Sequence, residues 1–129
     1  HGVKYAVLEN FMSDQEVAIL RKITDVMVNV QDTDALCASM QESLYAGSIV
    51  INGAWLNYGE LLEDGAYYET IPELKPGILA SKLEYVIKNL TDLKNKTTIN
   101  REIIAKRNDW NEVTQNFITL YNKLLEDKI

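Results

Sequence analysis

A single cysteine, Cys37, leaves the 129-residue chain no internal disulfide and no cysteine zinc site, and fits a reducing, cytoplasmic setting. The one histidine, His1, belongs to a His1-Gly2 start that lacks methionine and reads as a tag remnant or a cut end. With it set aside, no imidazole remains as a general base or metal ligand, which removes the commonest hydrolytic triads and zinc sites. There is no Gly-rich phosphate loop and no Gly-x-Ser-x-Gly nucleophile turn. No apolar run approaches the roughly 18 to 20 residues of a membrane span, and the start lacks the pattern of a signal peptide. These absences disfavour an enzyme and lead us to expect no catalytic residue, metal, cofactor or membrane partner.

Positive charge is missing over a long window. Between Lys22 and Lys75 the chain has neither lysine nor arginine, yet it carries Asp25, Asp32, Asp34, Glu42, Glu60, Glu63, Asp64, Glu69 and Glu73, interleaved with Trp55, Tyr58, Tyr67 and Tyr68. Residues 3–74 form an acidic half of net charge −9, residues 75–129 a basic-leaning half of net charge +3, and the whole carries −6. Such a field acts on partners rather than on fold. Direct nucleic-acid binding through the acidic half is disfavoured, since phosphate contacts need cations.

What is present reads as one ordinary domain, with 47% hydrophobic and 25% charged residues. Val3 to Leu8 is rich in β-branched and aromatic residues and is predicted as a short strand in need of a partner. Ser13-Asp-Gln-Glu16 is a capping box, with Met12 and Val17 at the staple positions. Ile19, Leu20, Ile23, Val26, Met27 and Val30 then lie on one helical face, which predicts a helix to about residue 30. Asp32 or Asp34 is placed to cap a second helix from Ala35 to about Tyr45, with Leu36, Cys37, Met40 and Leu44 inward. An Asp32-x-Asp34 metal pair is a weaker reading of the same residues.

Residues 48–64 admit two readings. Asn52-Gly53 between apolar runs is a hairpin signal, while Asn52 also serves as a cap for a helix from Gly53 to Asp64 stopped by Gly65. Ala66 to Ile71 is predicted as a strand that pairs with residues 3–8 or 48–51, with at most one of Tyr67 and Tyr68 buried. Pro76 suits a first helical turn, and Leu79, Leu83, Val86, Leu90 and Leu93 form a seam. A last helix over about 99–127 carries Ile99, Ile103, Trp110, Val113, Phe117, Leu120 and Leu124 on one stripe, with Ile104, Ile118, Tyr121 and Leu125 beside it. The expected fold is mainly α with minor β, a helical bundle with a C-terminal helical hairpin and a small sheet or hairpin.

For function, the base-free window leads to the expectation of a small acidic, non-enzymatic protein-binding module, an inhibitor or regulator. It would engage a basic protein surface through Trp55, Tyr58, Glu60, Glu63, Asp64, Tyr67, Tyr68, Glu69 and Glu73. One alternative is a self-assembling helical protein, a homo-oligomer in which the acidic half of one copy docks on the basic half of the next, or the second stripe of the last helix is buried between copies. The other is a small-molecule, nucleotide-like binding protein. There Trp55, Tyr58, Tyr67 and Tyr68 would stack a ring, and Asn52, Asn57 or a backbone amide would fix it.

Overall fold

The computed structural model describes residues 2–34 and 37–126, and His1, Ala35, Leu36 and residues 127–129 fall outside that range. A three-stranded parallel sheet in the order β1-β2-β3 lies at the centre, built from β1 (Val26–Asn29), β2 (Ile49–Gly53) and β3 (Glu69–Ile71). The chain is helix-rich with a small sheet, as its composition and periodicity predict, but the helices flank the sheet on both faces.

β2 explains why residues 48–64 are hard to read. A central parallel strand is covered on both faces, so its sequence is an unbroken apolar run without alternation. Ile49, Val50 and Ile51 are all fully buried, and burial of such side chains contributes about 1.5–3 kcal/mol each. Asn52-Gly53 is therefore the end of a strand and turns no hairpin, and the helix expected over 53–64 shrinks to α3 (Gly59–Glu63). Gly65, at φ 89°, stops it as expected.

The register sets the two faces. Met27 lies beside Val50 and Asn29 beside Asn52, while Val26 lies beside Ile49 and Val28 beside Ile51. On the first face Met27 and Val50 pack with Met40 and Leu44 of α2 (Ala38–Ala46), Leu61 of α3, and Ile103 and Ile104 of α6 (Asn100–Arg107). On the second face Ile49, Ile51 and Ile71 pack with α4 (Pro76–Lys88) and α5 (Leu90–Lys96). Leu79, Leu83, Val86, Leu90 and Leu93, the expected seam, all belong to that second cluster, and Pro76 starts α4.

The Ser13 capping box opens α1 (Asp14–Ile23): the Ser13 amide donates to Glu16 Oε2 at 2.8 Å, and the Glu16 amide donates to Ser13 Oγ at 3.4 Å. The helix ends seven residues before its expected limit of 30. Thr24 turns extended, and the β-branched run Val26 to Val28 gains ladder bonds from β2 that outweigh its helical periodicity. α1 packs on α2, where Arg21 donates to Glu42 Oε2 at 3.1 Å and to Ser39 Oγ at 2.8 Å.

The strand expected at Val3 to Leu8 is not formed: residues 2–9 run outside any strand, with their side chains exposed. The long helix expected over 99–127 is divided. A 3₁₀ turn (Thr97–Ile99) leads into α6, and Asn108 ends α6 before α7 (Trp110–Glu126) begins. None of the residues of α7 is buried. No helix among the described residues is long and apolar enough to cross a membrane.

Candidate functional site

Parallel strands deliver all their carboxyl ends to one edge, and loops gathered there form the usual ligand crevice of open α/β sheets. Here that edge is polar and tightly cross-linked. Asn29, the last residue of β1, and Asn52, one residue before the end of β2, form a buried pair, with Asn29 Nδ2 donating to Asn52 Oδ1 at 2.9 Å. Asn52 Nδ2 donates to the Gly53 carbonyl at 3.0 Å, and Gln31 Nε2 donates to Asn29 Oδ1 at 3.1 Å. The same Gln31 amide reaches Asp34 Oδ2 at 3.2 Å.

Asp34 then accepts the Tyr58 hydroxyl at 2.7 Å, and that hydroxyl accepts the Cys37 amide at 2.7 Å. Burial and the Asp34 carboxylate push the Tyr58 phenol up to about 12. Cys37 is the N-cap of α2, its sulfur 3.4 Å from the Met40 amide, so Asp32 and Asp34 do not cap that helix. No cluster of three or more candidate metal ligands occurs among the described residues.

Trp55 closes the edge. Its Nε1 donates to the Gln31 carbonyl at 2.7 Å, and its ring lies so close over Gly53 that a Cβ there would fall 2.5 Å from Cζ2. Trp55 is nevertheless 38% exposed. A large aromatic is thus held in place on a strand end and left partly open.

The residues expected to act together are distributed over several places. Trp55 and Tyr58 stand at the carboxyl edge. Glu60 and Asp64, on and just after α3, both meet Arg107 of α6, at 3.0 Å for Glu60; Asp64, then Glu60, raises the guanidinium pKa. Tyr68 lies in the first core cluster and donates to the Tyr58 carbonyl at 2.9 Å. Tyr67 is half-buried on the other side, so only one of the two is buried, as expected, although the strand predicted over 66–71 shrinks to β3 and both tyrosines precede it. The Tyr67 hydroxyl donates to Glu69, and Lys96 Nζ lies 5.2 Å from its ring centre. Burial, and then Glu69, raises the Tyr67 phenol.

Glu69 pairs with Lys82 at 2.8 Å and Glu73 with Lys75 at 2.7 Å. Burial alone would raise Glu69, but the bonds from Lys82 and Tyr67 outweigh it and hold the carboxyl below its ordinary range. Glu63 makes no ion pair among the described residues.

Asn29 and Gln31 are missing from the residues singled out by sequence. The signal for Asn29 is a polar residue ending a β-branched run, and the helical periodicity of that run conceals it. These elements define a layered α/β domain with a parallel sheet and a polar, aromatic carboxyl edge. Comparison with protein-family models, with curated proteins and with solved structures found no match.

Proposed function

We propose that the carboxyl edge of the sheet binds a small ring-bearing ligand of the nucleoside kind, with Trp55 as its stacking platform. The observation that carries this reading is Trp55, its ring held over Gly53 and tied to the Gln31 carbonyl while more than a third of the residue stays open to solvent. Pre-positioned aromatics beside a few fixed polar groups are what small-ligand sites use. The Asp34 carboxylate and the Gln31 amide supply the polar partners. A ligand whose binding depends on a phosphate is disfavoured, because residues 23–74 contain no base.

The test is a fluorescence titration with nucleosides in a Trp110→Phe background, which leaves Trp55 as the only indole. Saturable quenching that is lost on Asp34→Ala supports the site. No quenching by any of the common nucleosides at millimolar concentration refutes it.

The reading of an acidic surface for a basic partner protein has less support. Glu60, Asp64, Glu69 and Glu73 already face cations of the same chain. Self-association has a specific observation in its favour: α7 buries none of its residues and exposes Trp110, Phe117, Leu120 and Leu124 along one stripe. Light scattering that shows a dimer dispersed by Phe117→Glu supports it, and a monomer at high concentration removes it.

A further inference from the structure

β1 forms an edge of the sheet, and among the described residues no strand pairs with its outer side. The edge is apolar and incompletely covered: Val28 is 38% exposed, whereas Ile51 beside it is fully buried. Parallel strands are normally covered on both faces, and open edges are normally paired or blunted. Val3-Lys-Tyr-Ala-Val-Leu8, a strand by composition, meanwhile runs off the sheet with Val3 and Tyr5 86% and 87% exposed.

Handedness says where such a strand belongs. Successive strands step in one direction, from β1 to β3, and the connecting helices α2 and α3 lie on the same face. That is the right-handed crossover repeated. α1 packs against α2, the helix that covers that face. A strand that precedes α1 and runs parallel to β1 must therefore lie on the outer side of β1. The connections fit, with residues 9–13 before α1 and residues 24–25 after it, within the usual two to six or so residues of α/β loops.

We propose that residues 3–8 dock as a fourth parallel strand on the free edge of β1. The strand completes a β–α–β unit whose helix is already in place. Its single neighbour makes the docking weak, since parallel pairs are slightly less stable per residue than antiparallel ones. Its carboxyl end brings Asn10 to the edge that holds Asn29 and Asn52, but the docking stands whether or not that edge binds a ligand.

Disulfide trapping tests the pairing in the full chain. In a Cys37→Ser background, Val28→Cys is combined in turn with cysteine at each position from 3 to 8. Serine is a good N-cap, so α2 keeps its start. A docked strand gives intramolecular cross-links at alternate positions, several-fold above their neighbours, because side chains alternate between faces. Equal cross-linking at all six positions, or none, overturns the proposal. Cross-links recovered only between two chains assign the edge to a second copy and overturn it as well.

Discussion

Replacing Gly53 by alanine puts the geometry of the carboxyl edge to a quantitative test. The added Cβ would lie 2.5, 2.6 and 2.7 Å from three atoms of the Trp55 ring, so the ring has to move. If it swings fully out, about 150 Å² of apolar surface returns to water, roughly 4 kcal/mol at 25 cal/mol/Å². Partial adjustment with loss of the bond to the Gln31 carbonyl leads to a cost of about 2 kcal/mol. Backbone strain is no part of this, because Gly53 is not among the positive-φ residues, which among the described residues are Gly47 and Gly65.

The same substitution in a Trp55→Ala background meets no ring. There Gly53→Ala should stabilise the chain by about 0.4–1 kcal/mol, through the unfolded state. Urea unfolding followed by circular dichroism measures both, and emission in a Trp110→Phe background reports the indole directly. A cost that is equal in the two backgrounds, or a Trp55 emission unmoved by Gly53→Ala, would refute the close approach on which the stacking platform depends.

Asn29→Ala leaves the buried Asn52 carbonyl oxygen without its partner and should cost about 1–3 kcal/mol. The double replacement with Asn52→Ala should cost less than the sum of the two single ones, as read by a double-mutant cycle. The Tyr58 phenol, raised when folded, favours the native state below its ordinary pKa near 10, and that contribution is lost as pH rises towards about 12. Asp34→Asn should bring the phenolate absorbance change to lower pH, while burial keeps it above the ordinary value. For Glu69, held low by Lys82 and Tyr67, the sign is opposite. Its contribution is present above the ordinary carboxylate range and disappears on acidification, so Glu69→Gln should flatten the acid limb of the unfolding midpoint against pH. Arg107→Ala releases Glu60 and Asp64 at an exposed site and should cost no more than about 1 kcal/mol.

Local chemistry was the legible part of the fold. Ser13 with Glu16, Pro76 and Gly65 act within a few residues of themselves, and each is where its type predicts. The seam from Leu79 to Leu93 was legible too, since a helix laid along a sheet keeps one apolar side. Residues 23–30 were not, because Ile23, Val26, Met27 and Val30 satisfy a helical period by chance while a distant strand decides their conformation. Ile49 to Ile51 concealed a central strand, whose two covered faces remove the alternation that marks strands elsewhere. Trp55 and Tyr58 were visible as candidates from their chemistry alone. That they share an edge with Asn29 and Gln31, and that Tyr67 and Glu73 do not, depends on a parallel crossover no short-range pattern records.

Of the six ion pairs among the described residues, five join a carboxylate of residues 1–74 to a base from residue 75 onward. A ribosome makes the acids first. Glu69 has to wait thirteen residues for Lys82, and Asp25 waits until Lys94 has emerged. Until then the nascent acidic half repels itself, and its sheet also lacks the cover of α4 and α5. Translation therefore delivers the compensating cations and the second layer in the same stretch of chain, residues 75–107.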